Sequence, residues 1–171
     1  MQFGLVGSEM CIRDRDSTYR LELNDPSHFN ALSIEMASDM QMAVRWLAAQ
    51  EKGFVVGTVL QGAGDHFCPG GNPYRMLASS ATTLLPAAAR GSIDLFDGFC
   101  RLRTLPMPVL CAAHGTLLGG GLAICLLTDY VACNDAATLQ VGERSRRFHP
   151  AGLLTRTLAD EVGQDVAMAL H

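Results

Sequence analysis

Two glycine-rich stretches have residue types and spacing that could do chemistry without a reactive side chain. His66-Phe67-Cys68-Pro69-Gly70-Gly71 follows one strand-like run, and Gly119-Gly120-Gly121 follows a second some fifty positions later. One glycine is enough for a turn, whereas a pair or a triplet lets something approach the backbone closely. The triplet also opens a helical pattern. A helix N-terminus presents unpaired N–H groups and a partial positive charge, which suits an anion or a developing oxyanion. Two N–H groups from two loops can hold one carbonyl oxygen between them. The same runs can equally be plain turns, and these residues alone leave that choice open. Other glycine motifs do not fit. Gly119-x-Gly121-x-x-Ile124 lacks the third glycine of a dinucleotide loop, and neither GxxxxGK[ST] nor GxSxG occurs.

The other candidates are titratable. Glu143 can carry a proton if burial raises its pKa toward the working pH, yet Arg144, Arg146 and Arg147 beside it also describe a solvated carboxylate. His114 and His149 are candidate bases. His114 precedes the glycine triplet and reads as structural, while His149 adjoins Pro150. The cysteines (Cys11, Cys68, Cys100, Cys111, Cys125 and Cys133) are never spaced CxxC and lie mostly in apolar stretches. Reduced, buried thiols in an intracellular protein are therefore expected, with no metal site or disulfide framework.

Alternating strands and helices position these residues. Tyr19–Leu23 reads as a strand stopped by Asn24-Asp25-Pro26, and Ser33 as the N-cap of an amphipathic helix over 34–50 with Met36, Met40, Val44 and Leu47 on one face. Phe54–Leu60 is a short apolar strand, followed by a glycine-rich loop over 61–73. Residues 74–90 are ambiguous, and Ser92–Leu102 has helical spacing. Val109–Ala113 is a buried strand, His114–Leu118 a loop and Leu122–Leu127 a helix. Tyr130–Cys133 and Thr138–Val141 are strands, and a helical pattern returns from Ala151. Strands alternating with helices make the class α/β.

At 171 residues the length fits about one domain. A net charge of −4 and the lack of a basic patch interleaved with aromatics give no reason to expect nucleic acid, and no apolar run is long enough for a membrane span. Leu5–Arg15 (LVGSEMCIRDR) has neither period and matches the translation of a transposase adapter used to build sequencing libraries. Residues 1–15 are accordingly expected to be a disordered scar outside the fold, which leaves 16–171 as the domain and removes any meaning from Cys11.

The order of several short motifs resembles the enoyl-CoA hydratase/isomerase (crotonase) superfamily. They are Asn24-Asp25-Pro26 with Asn30-Ala31-Leu32; Val59-Leu60-x-Gly-Ala-Gly64 running into Phe67-Cys68-Pro69-Gly70-Gly71; Pro108-Val109-Leu110; His114-Gly115-x-x-x-Gly119-Gly120-Gly121; Asp129-Tyr130; and Glu143 with Pro150. The similarity covers roughly 19–158. It implies a crotonase-like spiral of stacked β-β-α turns, truncated here at both ends, that binds an acyl-CoA thioester. CoA enters as substrate, without a further cofactor. The full-length relatives are expected to be homotrimers or hexamers.

By that resemblance Gly71 and Gly120 supply the two N–H groups of an oxyanion hole, and Glu143 carries the proton. Cys68, Pro69, Gly70, Gly119, Gly121 and Pro150 fall among the substrate-binding positions, with Pro69, which has no N–H, shaping the CoA adenine pocket. Hydratases of the family use a second glutamate, and its position here is Ala123. One glutamate suffices to move a proton between two carbons, so double-bond isomerisation is expected. The alternatives are hydration, lyase or decarboxylase chemistry on the same site, and an inactive acyl-CoA-binding or scaffold paralogue. Ala151, Leu153-Leu154, Asn72 and the basic run Arg144–His149 depart from the hydratase pattern.

Overall fold

The computed structural model describes residues 10–15, 17–50, 55–71, 96–142 and 152–170, and the side chains of 11–15 lie outside that description. The helix expected after Ser33 is α1, Ile34–Ala48. Ser33 Oγ accepts the N–H of Met36 at 3.0 Å and so satisfies one of the orphan donors of the first turn. Met36, Met40, Val44 and Leu47 are buried along one face, as their 3.6-residue period requires.

In chain order the strands are β1 Met10–Arg15, β2 Thr18–Leu23, β3 Gly57–Gly62, β4 Val109–Ala113, β5 Thr116–Leu118, β6 Tyr130–Cys133 and β7 Thr138–Gln140. One sheet has the order β1-β2-β3-β4-β6, and β5 pairs with β7 in a second. Only β1 runs antiparallel to its neighbour; β2, β3, β4 and β6 are mutually parallel. Parallel neighbours need a crossover between them, and α1 lies on the first. The loops after β2, β3, β4 and β6 all leave the sheet at its carboxyl edge, which is where parallel sheets place their ligands.

The α/β class holds, with local differences. The strand expected from Phe54 begins at Gly57, because its register is set by β2: Thr18 faces Gly57 and Leu23 faces Gly62. Part of the loop expected over 114–118 is β5. A pairing with β7, distant in sequence, is invisible to local pattern. The helix expected from Leu122 is α2, Gly120–Cys125. It starts two residues early because Ala123 N–H already bonds Gly119 O at 2.8 Å. Helical residues 96–100 pass into a 3-10 turn at Arg101–Thr104.

Residues 10–15, expected to be disordered, form β1 and pair with β2 from Met10↔Leu23 to Arg15↔Thr18. The edge of β2 offers backbone donors and acceptors to an extended segment, and Met10 of β1 is buried in the core.

The main core gathers Leu21, Leu23, Met36, Met40, Leu60, Phe67, Phe99, Leu117 and Ile124 between the sheet, α1 and α2. A smaller cluster joins Leu122 and Ala123 of α2 to Leu154, Leu158 and Ala167. The last three belong to α3, Leu154–Val162, and α4, Gln164–Leu170.

Candidate active site

The two glycine stretches lie against each other. Phe67 N–H bonds His114 O at 3.0 Å, Cys68 N–H bonds Thr116 O at 3.1 Å, and Leu118 N–H bonds Cys68 O at 3.2 Å. These bonds zip residues 67–68 along β5, with Cys68 facing Leu117 in a parallel bridge. Contact between the loops is closest at two glycines. A side chain on Gly121 would overlap the Cys68 carbonyl oxygen and lie 2.8 Å from its carbon. Gly70 has φ +85°, and a Cβ there would stand 2.7 Å from Leu118 O and 3.1 Å from Gly120 N. Glycine is needed at 121 for close approach and at 70 for both reasons.

This packing orients the backbone donors. Leu32 N–H bonds Gly70 O at 2.9 Å. The peptide is planar and trans, so the N–H of Gly71 points away from Leu32. Gly120 is the first residue of α2, where an N–H has no intrahelical acceptor. Among the described residues neither Gly71 N–H nor Gly120 N–H has a hydrogen-bond acceptor. The preceding donor is taken, since Gly119 N–H bonds Gln140 O at 2.9 Å. Leu32 and Phe96 flank Gly120, with atoms 3.0 and 3.2 Å from where its Cβ would be.

Gly71, Gly119, Gly120 and Pro69 are partly exposed, whereas Cys68, Gly70 and Gly121 are buried. Cys68, Gly70 and Gly121, expected among the substrate-binding positions, lie where the two loops pack against each other. Pro69 lines a cavity of about 220 Å³ with Phe29, His66 and Thr116, and the Phe29 and His66 rings meet edge to face at 5.3 Å. His114 is engaged in loop packing, with Nδ1 3.2 Å from Ala112 O and Nε2 3.2 Å from Gly64 O. Glu143, His149 and Pro150 lie outside the described residues, as do Asn72 and Ala151.

The cysteines at 68, 100, 111, 125 and 133 are free, and only Cys133 is exposed. Burial pushes the Cys68 thiol up from 9.0 to about 12, against the opposing hydrogen bond from Gly70 N–H at 3.4 Å. A hydrogen bond with Cys125, and then burial, also raises Cys111. The neutral thiol of Cys68 is therefore favoured by folding. The stability this gives is fully present below the ordinary thiol pKa and is lost as pH rises from 9.0 toward 12. We expect Cys68 to resist iodoacetamide in the folded protein at pH 8 and to react after denaturation. Peptide mapping of the labelled sites checks this, and rapid native labelling at Cys68 would contradict it.

Ala123 is fully buried. Its neighbours are apolar: Leu122, Leu154, Leu158 and Phe96, and a Cβ on Gly152 would lie 3.2 Å from the Ala123 methyl. A carboxylate here would be desolvated with no described cation beside it. Sequence reasoning missed Asn30, Leu32 and Phe96 as parts of the site. Asn30 and Leu32 stood in a quoted motif without a role, and their contacts run to residues more than thirty positions away.

The family model described as enoyl-CoA hydratase/isomerase matches residues 14–171. The probable enoyl-CoA hydratase EchA14 of Mycobacterium tuberculosis is 31% identical over 149 residues, 87% of this chain and 56% of that protein. The peroxisomal Delta(3,5)-Delta(2,4)-dienoyl-CoA isomerase of Arabidopsis thaliana is 28% identical over 136 residues, 74% of this chain and 48% of that protein. The chain thus spans about half the length of these relatives. An enoyl-CoA hydratase from Polaromonas sp. JS666 superposes with a TM-score of 0.85 at 25% identity, over 94% of this chain and 62% of that structure. The fold is accordingly the crotonase-type α/β fold. Among the described residues no helix is long and apolar enough to cross a membrane, and no group of three or more His, Cys, Asp or Glu side chains is placed to hold a metal.

Proposed function

Since the chain belongs to the enoyl-CoA hydratase/isomerase family, we propose that it acts on an acyl-CoA thioester and shifts a double bond from C3 to C2. Residues 16–171 are then part of one acyl-CoA-binding domain, which works within a homotrimer or hexamer. The observation that supports this reading is the proximity of two loops that each carry an unengaged backbone donor. Gly71 N–H is turned away from Leu32, and Gly120 N stands 3.1 Å from the Cβ position of the neighbouring Gly70. Both donors are free of acceptors among the described residues. Two such N–H groups hold a thioester oxygen and stabilise the negative charge that develops on it.

Stabilising that charge makes the C2 proton of a 3-enoyl-CoA acidic. Glu143 takes the proton, and the electron pair of the C–H bond spreads as a dienolate onto the thioester oxygen. Glu143 then returns the proton to C4, and the double bond closes between C2 and C3. One carboxylate completes the cycle without a second acid or a bound water. The apolar setting of Ala123 favours this over hydration, which calls for a held water as well as a delivered proton. Pro69, Phe29, His66 and Thr116 form the wall against which the CoA nucleotide rests.

Absorbance of the conjugated thioester tests the reading. Purified protein is offered a 3-enoyl-CoA and a 2-enoyl-CoA in separate runs. Conjugation is expected to appear from the first and to persist in the second. Loss of conjugation from the 2-enoyl ester would replace isomerisation by hydration. If neither substrate changes and a CoA ester still binds, the chain is a binding module.

A further inference from the structure

Asn30 lies outside the donor pair but touches the loop that carries one of its members. Its side chain is fully buried and makes three hydrogen bonds. Oδ1 accepts the N–H of Asp25 at 2.9 Å, and Nδ2 donates to Ala63 O at 2.9 Å and to His66 O at 2.7 Å. The two carbonyls mark the ends of the exposed turn after β3, so a single amide group closes that turn. Two residues on, Leu32 N–H holds Gly70 O. Segment 30–32 is thus a template against which 63–71 is laid. It fixes first the turn and then the peptide whose N–H belongs to Gly71.

The residue type is demanding. Asn30 has φ +60°, a left-handed conformation that asparagine tolerates better than most residues with a side chain. The position also needs one acceptor and two donors in a planar group, which is what a carboxamide offers. Aspartate keeps the shape and the backbone tolerance but presents oxygen to two carbonyl oxygens. Glycine keeps the backbone and loses the bonds.

We propose that Asn30 is a positioning residue that aims the Gly71 N–H at the substrate oxygen; this rests on the acyl-CoA reading of the site. Displacement of that donor by about an ångström lowers turnover by on the order of 100-fold, with less effect on binding of the CoA body.

The test compares Asn30→Asp and Asn30→Gly with the unaltered chain in three measurements: thermal melting, kcat and KM on a 3-enoyl-CoA, and the amide ¹H–¹⁵N resonances of Gly71 and Gly120. In a folded variant, kcat is expected to fall by about 100-fold with KM little changed. The Gly71 resonance should move while that of Gly120 stays. If Asn30→Asp does not fold, Asn30→Gly decides, because it buries no charge. An unmoved Gly71 resonance in a folded variant would overturn the proposal, whatever happens to kcat. If the unaltered chain turns over no thioester, the proposed activity fails separately, and the Gly71 resonance still shows whether Asn30 sets that donor.

Discussion

Replacing Glu143 with Gln is expected to lower turnover of a 3-enoyl-CoA by about 1,000-fold and to leave binding of the CoA ester intact. The amide has nearly the carboxylate's shape, so packing changes little. What it loses is the ability to accept a proton at one carbon and release it at another. Under the proposed mechanism, binding belongs to other groups: the Gly71 and Gly120 N–H donors for the thioester and the cavity beside Pro69 for the nucleotide. The expected result is therefore a large fall in kcat with an unchanged dissociation constant, read by conjugated-thioester absorbance and by calorimetry with a CoA ester. Full activity in the variant would remove Glu143 from the mechanism. Loss of binding together with activity would instead give Glu143 a part in holding the substrate.

The second large effect is structural. Gly121→Ala would drive a methyl group into the Cys68 carbonyl, with the Cys68 carbon 2.8 Å away. The obstacle is main chain on both sides, so no rotamer change relieves it. Overpacking of a tight site costs typically 1–3 kcal/mol, and we expect the upper end, about 3 kcal/mol. For a domain of this size that lowers Tm by roughly 10 °C. Gly142→Ala is the control, since among the described residues nothing lies within 4 Å of its Cβ position. It should leave the melt unchanged. Equal melting of the two variants would show that the two loops do not pack as closely as described.

Much of the architecture could be read before any coordinates. The helix after Ser33 was signalled by its cap and by a single apolar face, both local properties. β4 and β6 were bounded by prolines and by a turn at Asn134-Asp135, again local. β5 and β7 were harder. Three residues carry little periodicity, and their pairing joins Thr116 to Thr138 across a separation that no local pattern encodes. The site divides the same way. Glycine runs announced close backbone approach, but not that Gly70 and Gly121 are internal packing points while Gly71 and Gly120 face outward. For Gly70 and Gly71 that difference depends on which carbonyl Leu32 captures. Asn30 was legible only as part of a motif, because its hydrogen bonds reach Ala63 and His66 in another loop.

The seam between the two glycine loops is main chain against main chain: carbonyls of residues 68, 114 and 116 accept N–H groups, and glycines stand where side chains would intrude. Few side-chain identities are recorded there, so a lineage can replace most of its residues and inherit the seam unaltered. The same property shapes how mutagenesis would see this region. An alanine scan removes side chains, and the donors here have none to remove. The scan would register Asn30, whose bonds to Ala63 and His66 come from its side chain, and pass silently over the main-chain N–H groups of Leu32, Gly71 and Gly120.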